Sequence, residues 1–138
     1  MRMRFCTIAA LVCMYGCSAL EVDSVGGAIS EPMCVIENRS TSDAFLLTLM
    51  KRVSNNGYMI SIAGEGVSCS STLQYEAKYG IDAYSGNYLS SATISLHQES
   101  KEIGQVYYRR SFLDSDGPSH IKSLIEMLVD KLLPPKGA

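Results

Sequence analysis

The chain reads as an α+β domain: a mainly antiparallel sheet of four to five strands with two helices packed on one face, in the order β-α-β-β-β-β-α. Three observations predict it. From 73 to 83 the odd positions are Leu73, Tyr75, Ala77, Tyr79, Ile81 and Ala83, and the even ones are Gln74, Glu76, Lys78, Gly80 and Asp82. Strict period two marks a strand with one dry face and one wet face. Two further segments, Phe45-Leu46-Leu49-Met50-Val53 and Ile121-Leu124-Ile125-Leu128-Leu132, carry apolar side chains at helical spacing. Two amphipathic helices laid on one face of such a sheet bury every apolar stripe at once.

The elements follow in order. Residues 33–37, Met-Cys-Val-Ile-Glu, are a short apolar strand. Thr41, Ser42 and Asp43 offer N-capping oxygens, and Asn56-Gly57 supplies a left-handed stop to the first helix. Tyr58, Ile60 and Ile62 alternate with smaller residues as a second strand, expected to lie parallel to the first through a right-handed crossover. Residues 64–71 are a loop before the long strand. Ser85-Gly86-Asn87 turns the chain, and Tyr88, Ala92, Ile94 and Leu96 mark the next dry face. A turn at 99–101 leads into a last strand over 103–110. Pro134-Pro135 ends the second helix. Tyr75, Tyr79, Ile81, Ile94 and Leu96 are then expected in the core. Gln74, Glu76, Lys78, Thr93, Gln105, Tyr107 and Arg109 form an open sheet face, the candidate interaction surface, together with Ser91 and Ser95.

The N-terminus carries an address. Met-Arg-Met-Arg precedes an apolar run, and the uncharged stretch 5–20 is sixteen residues, short of the roughly 20 that span a bilayer. An uncleaved anchor of marginal length is the alternative to a signal peptide. At Met14-Tyr15-Gly16-Cys17 the segment resembles a bacterial lipobox. In such a motif the cysteine takes diacylglycerol on its thiol and becomes the first mature residue, and its freed amine can take a further acyl chain such as palmitate. Gly16, Cys17 and Ser18 therefore flank the expected cleavage. Met14 stands where leucine is usual, Tyr15 is bulky, and Cys13 fits less well because Val12 precedes it. Two or three acyl chains hold stably where one does not. In two-membrane bacteria, Ser18 after the cysteine resembles the signal for the outer membrane. The organisation expected is a signal peptide over 1–16, a lipidated coil tether over 17–32 and one domain over 33–135, facing the periplasm.

Cys6 and Cys13 would leave with the signal and Cys17 would carry lipid, so Cys34 and Cys69 remain in a compartment where disulfides persist. Two readings stand. A bridge would close a loop of about 35 residues, worth roughly 3–4 kcal/mol; the alternative is two buried free thiols. A parallel strand pair puts Cys34 near the start of one strand and Cys69 beyond the end of its neighbour. A bridge thus requires the loop 64–71 to fold back.

Chemistry is sparse. Arg2 and Arg4 leave with the signal, so the mature chain holds ten basic and fourteen acidic side chains, a net charge of −4. That argues against nucleic-acid binding, which rests on phosphate neutralisation. His97 ends a polar strand face and His120 opens the last helix, and both read as surface residues. No serine sits in a Gly-x-Ser-x-Gly elbow, and Gly64-Glu65-Gly66 is not followed by a helix. Asp114 and Asp116 precede a helix, where capping accounts for them. No metal-ligand spacing and no cofactor motif is present. The expectation is a non-catalytic binding or adaptor module held by its lipid to the membrane, with an envelope protein as partner. A periplasmic small-molecule carrier or an envelope hydrolase is the alternative.

Cys34-Val35-Ile36-Glu37, Cys69-Ser70-Ser71-Thr72-Leu73-Gln74-Tyr75 and Glu102-Ile103-Gly104-Gln105-Val106-Tyr107-Tyr108 carry a resemblance. In these pieces the mature chain looks like the short uncharacterised proteobacterial outer-membrane lipoproteins. These have a cysteine in the first strand, another before the long alternating strand, and a helix at each end of the sheet. The resemblance implies fold and location and carries no activity. In architecture the chain is also similar to the lipopolysaccharide-assembly lipoprotein, a partner within an outer-membrane complex.

Overall fold

The structure, a computed structural model, describes residues 19–137 apart from 26, 65, 83–85 and 111–117. The expectations placed on Gly16, Cys17 and Ser18 fall outside these residues, as do Asp114 and Asp116.

The alternating segments pair as one mixed sheet of six strands: β1 (Ala19–Asp23), β2 (Met33–Val35), β3 (Ile60–Ile62), β4 (Ser71–Asp82), β5 (Gly86–Gln98) and β6 (Lys101–Arg109). Their spatial order is β1-β6-β5-β4-β2-β3. β4, β5, β6 and β1 form an antiparallel run, while β2 is parallel to both β3 and β4. Two helices, α1 (Asp43–Asn55) and α2 (Pro118–Leu132), pack against one face. Phe45, Leu49 and Val53 of α1 and Ile125, Leu128 and Leu132 of α2 join Tyr75, Ile94, Leu96 and Val106 in a single core. The α+β class and the single covered face are as the spacing predicts; the strand count is six, not four to five.

The extra strand is β1. Residues read as coil tether instead pair with β6, Ala19 opposite Arg109 through Asp23 opposite Gln105. Leu20 and Val22 alternate there with Glu21 and Asp23, which gives an edge strand two faces to satisfy. Gly104 lets this edge close: a Cβ there would lie 2.6 Å from Val25 Cγ2 and 3.1 Å from Leu132 Cδ1.

Cys34 and Cys69 are bridged, their Cα atoms 5.6 Å apart. β3 and β4 flank β2 and both run parallel to it, so the chain leaving β3 must cross β2 to re-enter as β4. Met33 and Val35 point into the core, so Cys34 between them points the other way. The return segment 63–70 crosses on that side. Ala63 N–H donates to Val35 O at 2.9 Å and Ser70 N–H to Pro32 O at 2.9 Å. The loop does fold back, and it leaves Cys34 wholly buried.

Two expectations about single side chains do not hold. The register of β4 on β5 shifts between Lys78 and Tyr79, where Ser90 is the extra residue of β5, so Leu89 takes the core position read for Tyr88 while β4 keeps its own alternation. Tyr79 is 39% exposed and Ile81 83% exposed, because the β4–β5 hairpin runs past the helices that cover Tyr75. Ser42 sits at the N-cap of α1 but makes no capping bond with its side chain. Its hydroxyl instead meets Tyr79 Oη at 3.1 Å. The left-handed stop is as read: Gly57 follows Asn56 at φ +98°.

Beyond α2 the chain closes on its own earlier part. Lys136 N–H donates to Asn56 O at 2.9 Å, and its ammonium donates to Glu31 Oε1 at 2.6 Å. That hydrogen bond holds the Glu31 carboxyl below its usual range. Tyr58 Oη donates to Pro134 O at 2.8 Å, and burial pushes the Tyr58 phenol upward.

Candidate functional site: the open sheet face

Strand registers place the predicted polar residues in rows across four strands. Gln74, Ser95, Gln105 and Asp23 make one row; Glu76, Thr93, Tyr107 and Glu21 the next; Lys78, Ser91 and Arg109 a third, which ends at Ala19. Partners directly opposite share a face, so one register settles the whole surface. All seven predicted residues therefore lie on the face that no helix covers. Gln74, Glu76, Lys78 and Arg109 are exposed; Thr93, Gln105 and Tyr107 are half-buried between neighbouring strands.

The structure adds Glu21 and Asp23, which the coil reading of 18–32 missed. The available signal was the alternation of Leu20 and Val22 with these two carboxylates. Charge on the face is graded along the strands. Lys78 and Arg109 share one row, Glu76 and Glu21 the next, and Asp23 the one after.

The face offers hydrogen-bonding groups, one aromatic ring and graded charge. His97 lies just beyond these rows, opposite Thr72 and Glu102, with Nε2 3.2 Å from Ser95 Oγ. Ser95 is itself buried, so its hydroxyl is poorly placed to meet a substrate. His120 is exposed at the start of α2. Among the described residues, no group of three or more His, Cys, Asp or Glu side chains could hold a metal ion. Among them, too, no helix is long and apolar enough to cross a membrane.

On the helix side a cleft of about 390 Å³ opens between the N-terminal halves of α1 and α2 and the overhanging hairpin. Phe45, Ile121 and Ile125 form its floor; Ser42, Tyr79 and Lys122 stand at its rim. Sequence reading gave no sign of it, because it depends on the hairpin reaching past the helices, which leaves Tyr79 at the rim and not packed in the core.

No protein-family profile matches the chain, and no curated protein matches it. Solved structures do. The chain is similar to PelC from Paraburkholderia phytofirmans, described as a dodecamer, at a TM-score of 0.64 and 13% identity, covering 85% of this chain and 99% of that one. A point variant of the same PelC dodecamer gives a TM-score of 0.60 at 15% identity, with 86% and 96% covered. A minor lipoprotein from Acinetobacter baumannii gives 0.31 at 11% identity over 71% and 81% of the two chains, too slight a likeness to bear on the fold. The likeness to PelC is one of fold.

Proposed function

We propose that the chain is a lipid-anchored protein of the cell envelope, attached through Cys17 to the outer membrane and facing the periplasm. Its domain is a non-catalytic adaptor that presents the open sheet face to a protein partner. The observation that carries this reading is the asymmetry of the sheet. Both helices lie on one side, while the other keeps four strands of polar side chains in register. Loops and open faces set on a rigid scaffold are where binding residues collect. The lipobox-like Gly16-Cys17 supports the anchor. The fold shared with PelC, a dodecamer, supports a partner that includes further copies of the chain.

Two measurements test this. Cys17→Ser should leave uncleaved precursor and abolish incorporation of labelled fatty acid; continued labelling removes the anchor at Cys17. Substitutions at Gln74, Thr93, Gln105 and Tyr107 should weaken complexes recovered from crosslinked membranes, and lower the native mass of the detergent-extracted chain if the partner is itself. Unchanged recovery and mass in every variant would remove the open face from the account.

A further inference from the structure

The start of β1 fixes how the domain meets the membrane. Only Ser18 separates Cys17 from Ala19, so the lipid-bearing residue lies at most about 7 Å of chain from a strand hydrogen-bonded into the sheet. The chain enters β1 beside Arg109, at the end of the sheet from which the β4–β5 hairpin overhangs. Beyond the row of Lys78 and Arg109 that hairpin runs three more residues to Ile81, about 10 Å at strand spacing. Chain length alone therefore keeps the lipid's point of attachment close to that end of the sheet. What stands there suits lipid head groups. Ile81 is 83% exposed, although isoleucine gains from leaving water. Lys78 and Arg109 are exposed in the adjacent row, Arg110 stacks over the Tyr88 ring at 4.2 Å, and Lys122 is exposed near the start of α2. Asp43 at the start of α1 opposes them, and Asp82 follows Ile81 at the end of β4. The carboxylates of Glu21, Glu76 and Asp23 lie further along the strands, away from the anchor.

We infer that this end of the sheet is a second membrane contact: Lys78 and Arg109 lie against anionic lipid head groups and Ile81 enters the interface beside the anchored Cys17. The inference rests on the lipid-anchored reading. It gives the domain one fixed orientation, with the acidic rows and the β5–β6 turn held away from the bilayer. Two attachments of different kind, acyl chains and a basic, apolar edge, hold a protein at a surface better than one.

The test uses the full chain, processed in cells and reconstituted into vesicles of phosphatidylethanolamine and phosphatidylglycerol. A photo-crosslinking p-benzoylphenylalanine replaces Ile81 or, at the far end, Glu99. Lipid adducts should form severalfold more at position 81 than at 99. Lys78→Glu with Arg109→Glu should cut the yield at 81 severalfold while the thermal midpoint stays put. The mass of the N-terminal peptide is read from the same samples. Lipid on Cys17 with equal adducts at both ends, or with position 81 joined to a second copy of the chain, overturns the orientation and leaves the anchor standing. An adduct yield unmoved by charge reversal overturns the head-group contact. An N-terminal peptide without lipid overturns the anchor and this inference together.

Discussion

Arg52 grips Asp130 with two bonds, Nε donating to Oδ1 at 2.9 Å and Nη2 to Oδ2 at 2.6 Å, and so ties the last turn of α1 to α2. Nη1 reaches Glu126 Oε2 at 3.2 Å. Asp130 also accepts from Asn56 Nδ2 at 2.8 Å, and Asn56 is buried, giving its other amide proton to Leu133 O at 2.9 Å. Asp130→Ala leaves a buried donor unpaired and is expected to cost about 1–2 kcal/mol. Arg52→Ala should cost less, because both members of the ion pair are about a third exposed and such pairs contribute little. Urea midpoints of the two variants check that order.

The same aspartate sets an acid limit. Its hydrogen bonds from Arg52 hold its carboxyl below the usual range, outweighing the effect of burial. A carboxyl depressed in the folded state binds protons more readily when unfolded, so stability rises with pH in that window. The contribution is complete above about pH 5, where unfolded carboxylates are almost wholly ionised. It is lost as pH falls through the folded value, and Glu31 beside Lys136 adds to it in the same direction. Thermal midpoints measured downward from pH 5 should fall less steeply in Asp130→Asn than in the parent.

Tyr75 and Tyr79 separate core from overhang. Tyr75 is 5% exposed, stacks on Phe45 with centroids 5.4 Å apart, and accepts the Asn38 N–H at 3.0 Å through its hydroxyl. Tyr75→Ala is expected to cost roughly 3–5 kcal/mol as a large buried ring removed from the core. Tyr79→Ala should cost under about 1 kcal/mol, as partly exposed positions do. Equal losses in chemical denaturation would mean that Tyr79 is packed as deeply as Tyr75.

Cys69→Ser opens a loop whose ends are 35 residues apart in sequence and should lower stability by roughly 3–4 kcal/mol, the loop-closure scale. Digestion without reduction should release the Cys34 and Cys69 peptides joined in the parent. Modification of both thiols without a reductant would count against the bridge.

Both helices and strands β2 to β6 were legible because their apolar residues recur with a period or stand as short apolar runs. Phe45 through Val53 and Ile121 through Leu132 keep helical spacing, and Leu73 through Ala77 keep that of a strand. The register shift opposite Lys78/Tyr79 was not legible, since the extra residue, Ser90, changes the phase of β5 without changing residue type; Tyr79 and Ile81 stay in phase but lie beyond the helices that would cover them. β1 was missed for a different reason. Leu20 and Val22 do alternate, but a strand of five residues beside Gly26 and Gly27 has the composition of a linker until β6 is there to pair with it. The residues that β4, β5 and β6 bring to the open face were legible; its edge at β1 was not. The disulfide turned on topology, which places β4 across β2 from β3.

The seams of this domain join its beginning to its end. β1 finds its partner in β6, and Glu31 finds its cation in Lys136, 105 residues further on. A chain that appears N-terminus first therefore holds Leu20, Val22 and Glu31 without their partners until nearly all of it is present. Contacts this remote in sequence are slow to form, since long loops must close first. Completion of the fold waits first on β6 and then on Lys136, and a chain stopped before Lys136 would lack that clasp.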